Sequence, residues 1–100
     1  MQYAIAIIRY RKAFEEVSKH LERHRAYLQS LKQKGTLLVS GPFDPRTGGA
    51  LLLRFPDGAD VNAELDKVRA VDPYSQAGVA QYELLPWNPL TGREDLDQIR

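Results

Sequence analysis

The chain contains no cysteine, which removes disulfide frameworks, thiolate zinc sites and thiol nucleophiles together. It also lacks an excess of either charge: fourteen Lys and Arg stand against thirteen Asp and Glu, for a net charge of +1. A surface that tracks phosphates needs clustered base in excess, so no nucleic-acid partner is expected. Long hydrophobic runs are missing as well. Ala4 to Ile8 and Ala50 to Leu53 are the longest kind present, far short of the roughly 20 residues that span a bilayer, so no membrane partner is expected. Tyr3 follows Met1-Gln2 directly into strand-like sequence, without a basic stretch and long apolar segment ahead of a cleavage site; the expected location is cytoplasmic. What remains is an ordinary globular composition, 43% hydrophobic and 27% charged over 100 residues, which is one domain.

Gln2 to Tyr10 is rich in Tyr and Ile and predicts a first strand. Phe14, Val17, Leu21, His24, Leu28 and Leu31 then recur in steps of three and four, the face of one helix from about Ala13 to Lys34 with Gly35 as its stop. Thr36 to Ser40 and Ala50 to Phe55 predict two strands joined by a hairpin loop, the first closed by Gly41-Pro42 and the second opened by Gly48-Gly49. Asp60 is a plausible N-cap for a second helix through Val61, Leu65 and Val68, ended at Asp72-Pro73. Val79 to Trp87 alternates as a fourth strand. Residues 1–87 thus form the domain, and residues 88–100 a polar tail expected to be loosely held. The order βαββαβ is that of an α+β, ferredoxin-like sandwich with both helices on one face of an antiparallel sheet.

Such a sheet should be polar on its uncovered face. Here Tyr3, Ile5 and Ile7 lie on one side of the first strand and Ala4, Ala6 and Ile8 on the other, and Leu51 and Leu53 oppose Ala50 and Leu52 in the same way. Two helices cover one face only, so the expected cover for the second is another copy of the chain, a homodimer.

His24 is the polar residue that falls in phase with the apolar stripe, so its ring points toward the sheet, where it needs a hydrogen-bond partner. It is either a structural core histidine bonded to a backbone carbonyl or a functional base. Asp72 is the candidate partner, although Asp before Pro is also ordinary turn chemistry; if the two meet, they have the composition of a general base oriented by a carboxylate. His20 and His24 at i,i+4, with Glu16 a turn back, raise a metal-binding helix face, but no His-Glu-x-x-His pattern accompanies them and no metal is expected. Lys19, Arg23, Arg25, Lys32 and Lys34 read with the helix acids as a solvated face. Ser40, at a strand end beside Gly41, could hydrogen-bond a ligand. No Gly-rich phosphate loop is present, and Ala50-Leu51-Leu52-Leu53 lacks the aromatics an RNA-binding sheet would carry.

His24-Arg25-Ala26-Tyr27-Leu28, the run Lys34-Gly35-Thr36-Leu37-Leu38-Val39-Ser40-Gly41-Pro42, Arg46-Thr47-Gly48-Gly49, and Asp72-Pro73-Tyr74 with Gly78-Val79 together resemble the YciI-like (YCII-related) family, over nearly the whole chain to Trp87. The resemblance implies a ferredoxin-like fold of the dimeric α+β barrel type. It implies a pocket lined by the first-helix histidine and the aspartate of Asp-Pro-aromatic, here His24 and Asp72. It also implies enzymatic activity, one branch of the family resembling lyases that eliminate halide from chlorinated hydroxyquinones. Many members carry an arginine where this chain has Leu21. The expected function is proton transfer on a small molecule, an elimination or isomerisation, with His24 and Asp72 as the catalytic pair, Ser40 and Tyr74 at the substrate, and no cofactor. The alternative is a non-catalytic dimeric module that binds a small ligand or partner.

Overall fold

The computed structural model describes residues 1–99. Four strands, β1 (Gln2–Tyr10), β2 (Leu37–Pro42), β3 (Gly48–Phe55) and β4 (Ala80–Trp87), form one antiparallel sheet in the order β2-β3-β1-β4. This is the ferredoxin-like α+β sandwich predicted from the element order, the fold of dimeric α+β barrel proteins. The helices α1 (Phe14–Ser18), α2 (Leu21–Gln33), α3 (Val61–Val71) and the single turn α4 (Pro73–Gln76) bury one sheet face, where Ala4, Ala6, Ile8, Leu51 and Leu53 meet Val17, Leu31, Leu65 and Val68.

The predicted first helix is two helices. The break falls at Lys19-His20, where His20 leaves the helical region at φ −112°, ψ 4°. Just before it the Ser18 hydroxyl donates to the Glu15 carbonyl at 2.9 Å, a back-bond of the kind that bends helices. The apolar phase nevertheless carries across the break, so Val17, His24 and Leu31 are all buried. Phe14, the first residue of the predicted stripe, is instead 39% exposed.

Helix ends follow the sequence signals closely. Gly35 at φ +80° closes α2, its amide donating to Lys32 O and the Thr36 amide to Leu31 O, a pairing that needs the left-handed conformation glycine adopts freely. Asp60 caps α3 by accepting from the Ala63 amide.

The polar tail is docked, contrary to the expectation of a loose end. Helix α5 (Arg93–Asp97) lies on the sheet face opposite the other helices. Tyr3 donates to Asp97 Oδ1 at 2.5 Å, Arg54 Nη1 to the carbonyls of Leu96 and Ile99 at 3.1 and 2.6 Å, and Arg93 to Met1 O at 2.9 Å. Buried Tyr3 and Arg54 are thus covered by the chain's own C-terminal segment, not by a second copy. The next row across the same face, Val39-Leu52-Ile5-Leu85, stays apolar and partly open, with Val39 59% and Leu85 38% exposed.

Candidate active site

Asp72 ends α3 and starts α4. The following proline disfavours helical backbone at position 72, and Asp72 is extended at φ −65°, ψ 126°. From there its Oδ1 accepts the Tyr74 amide at 3.0 Å, capping α4, with Pro73 in the first helical position where a missing N–H costs nothing. The same oxygen reaches His24 Nδ1 at 2.8 Å. Asp72 is fully buried and His24 is 7% exposed, so the contact is a shielded one.

A carboxylate only accepts, so Nδ1 carries the proton and, in the neutral ring, Nε2 is left as the basic nitrogen. The ring orientation is fixed a second time by Tyr74, which stacks on it at 3.9 Å between centroids and 9° between planes. Tyr74 is held in turn by the edge of Tyr10, with centroids 6.0 Å apart.

A cavity of about 220 Å³ opens beside this pair, between α2 and the β2–β3 hairpin. His24, Tyr74 and Ser40 all line it, with an apolar wall of Ile8, Leu28 and Leu51. The fold therefore brings the four sequence-predicted residues together: His24 and Tyr74 on the wall, Ser40 exposed at the side formed by β2, and Asp72 behind His24. Close backbone packing shapes the hairpin side. A Cβ on Gly48 would lie 1.8 Å from the Ile8 carbonyl oxygen, and one on Gly49 would lie 2.6 Å from that of Gly41.

Three phenols surround the aspartate. Burial first, and then the Asp72 charge, push the Tyr27 hydroxyl up to about 12; it donates to Val68 O at 2.9 Å. Burial and the neighbouring Tyr10 phenol push Tyr74 up to about 12, with Arg46 pulling the other way. Burial and then the Asp72 carboxylate raise Tyr82 furthest. Tyr82 Oη and Asp72 Oδ2 are both buried without a hydrogen-bond partner among the described residues.

Sequence reasoning missed Tyr82, Arg25 and Arg46. Tyr82 alternates with Ala80 and Leu84 on the helix-covered face, and that periodicity could have placed it near Asp72. Arg25, read as part of the solvated helix face, lines the cavity beside His24. Arg46 lies in the hairpin loop, where no periodicity exists to orient it; its guanidinium sits 4.7 Å over the Phe14 ring and its Nε is 3.4 Å from Tyr10 Oη. His20 Nδ1 accepts from Arg23 Nη2 at 2.6 Å. Among the described residues no three His, Asp or Glu side chains are grouped to hold a metal ion, and no helix is long and apolar enough to cross a membrane.

Residues 1–88 match the family model of the YCII-related domain. No curated protein matches the chain in sequence. Among solved structures, the fold is similar to that of 5-chloro-2-hydroxyhydroquinone dehydrochlorinase (TftG) from Burkholderia phenoliruptrix, determined in complex with 2,5-dihydroxybenzoquinone. The two share 22% sequence identity and a TM-score of 0.69, over 88% of this chain and 94% of that one.

Proposed function

The chain belongs to the YCII-related domain family, and from that premise we propose that it is a small-molecule enzyme in which His24 is the general acid/base and Asp72 its orienting partner. The observation that carries this reading is the 2.8 Å contact between His24 Nδ1 and a fully buried carboxylate, made by a ring that also lines a cavity. A structural histidine would need the hydrogen bond but not the cavity.

Nε2 takes a proton from the substrate, and Asp72 stabilises the imidazolium that forms. In an elimination the electron pair left behind expels the leaving group; in an isomerisation the proton returns at another atom. The dehydrochlorinase with the similar fold favours elimination from a hydroxylated ring. Tyr74, held neutral and stacked on His24, keeps the imidazole plane fixed, and the Ser40 hydroxyl offers a hydrogen bond to a polar substituent. No cofactor enters this scheme. A second copy of the chain covering the Val39-Leu52-Ile5-Leu85 row completes the proposed assembly, a homodimer of the α+β barrel type.

The test is a turnover screen on halogenated and unhalogenated hydroxyquinols, 5-chloro-2-hydroxyhydroquinone included. His24→Ala should abolish turnover by about 10²-fold or more, whereas Asp72→Asn should lower kcat with KM little changed. Binding of these compounds with no turnover, and with affinity lost on His24→Ala, would instead identify a ligand-binding module.

A further inference from the structure

We propose that the cavity selects an anionic single-ring compound, its acid group held by Arg25 and Arg46 at the rim while the ring lies on the apolar wall beside His24. The inference rests on the small-molecule reading of the site and adds the charge and size of what enters it.

Size comes first. An apolar cavity of about 150 Å³ is large enough for benzene, so about 220 Å³ fits one ring with a few substituents. The wall of Ile8, Leu21, Leu28 and Leu51 gives such a ring an apolar bed.

Charge comes from the imbalance of the lining. Two arginines, Arg25 and Arg46, line the cavity, and among the described residues no Asp or Glu does. The nearest buried acid, Asp72, is engaged by His24 and the Tyr74 amide. Arg25 pairs with no carboxylate among the described residues, and Arg46 is steadied by neutral aromatics, Phe14 below it and Tyr10 beside it. Guanidinium groups suit planar, two-oxygen anions such as a carboxylate or the ionised hydroxyl and carbonyl of an acidic enol. Placed at the rim, they would also stabilise the negative charge that builds on the substrate as His24 removes a proton.

Benzoate and benzyl alcohol share a ring and differ in charge, so they separate the two halves of the proposal. Binding is followed through the His24 ring signals by NMR titration at low salt. An exposed ion pair is worth up to about fivefold in affinity, so two of them should make benzoate bind tighter than the alcohol by up to about 25-fold. Arg25→Met and Arg46→Met should each reduce that preference, and the double variant should bring the two probes to equal affinity; both side chains are exposed, so the fold should survive, as a thermal melt would verify. Equal affinity for the two probes, or a preference that persists in the double variant, overturns the anion assignment and leaves the pocket standing. If neither probe moves the His24 signals at saturating concentration, the proposal falls together with the small-molecule reading.

Discussion

Replacing Asp72 tests the joint between the helices that build the site. Oδ1 alone takes the His24 Nδ1–H and the Tyr74 amide, at 2.8 and 3.0 Å. In Asp72→Ala the cap on α4 is lost, worth about 1 kcal/mol, and the imidazole N–H is stranded in a buried position, at about 1–3 kcal/mol. The carboxylate's own desolvation cost vanishes with it, and the ring left behind can be neutral. The loss therefore falls at the lower edge of the about 3–5 kcal/mol typical of a broken buried pair. We expect about 3 kcal/mol, a fall in Tm of more than about 10 °C for a domain of this size. Asp72→Asn keeps an acceptor in the place of Oδ1 for both donors but sets an amide nitrogen where Oδ2 has no hydrogen-bond partner; about 1 kcal/mol is expected. Urea unfolding checks the order wild type, Asn, Ala through the midpoints, provided the slopes agree. An alanine variant that loses under about 1 kcal/mol, or an asparagine variant that loses as much as alanine, would refute the idea that this one oxygen ties α2 to α4.

Gly48→Ala should destabilise by about 3 kcal/mol or more, because its Cβ would press into the backbone of β1 at Ile8, which cannot yield as a flexible side chain can; a thermal melt within a few degrees of wild type contradicts this. Alkaline titration should expose the buried phenols. Tyr27 and Tyr74 titrate near 12 folded against 10 unfolded, so the unfolded chain loses these protons first, and stability is fully present below pH 10 and declines as pH rises from there toward 12. Phenolate absorbance should then appear cooperatively, together with loss of circular dichroism; fully gradual ionisation with the fold intact would refute it. Light scattering should give twice the chain mass, and Leu52→Lys, in the middle of the open apolar row, should return the monomer with the His24–Asp72 contact intact; a wild-type monomer at micromolar concentration would remove the proposed dimer.

The fold was legible because its signals are local and repeated. The alternation in β1, the stripe from Val17 to Leu31, the Gly35 stop and the Asp60 cap each follow from near neighbours in sequence, and all four appear in the structure. The break at His20 was not legible, since it turns on the Ser18 back-bond and not on the apolar period, which runs through it unchanged. The docking of the tail was missed for a related reason. Its hold on the sheet is polar, from Tyr3, Arg54 and Arg93 to a carboxylate and backbone carbonyls, and such bonds leave no hydrophobic pattern to read.

The site divides the same way. Periodicity put the His24 ring on the buried face, but its partner lies 48 residues away, and no spacing rule spans that distance; Asp72 was a candidate from its place before Pro73 at a helix end, and the family resemblance strengthened the pairing. Asp72 shows why the local reading was not enough. Turn chemistry and active-site chemistry need not be alternatives when one oxygen serves both: the extended backbone that Pro73 favours, and the cap on Tyr74 that follows from it, fix Oδ1 within reach of Nδ1. The ordinary Asp-Pro turn is thus what holds the carboxylate still, and a pair built on it loses helix α4 and the orientation of its imidazole by the same substitution.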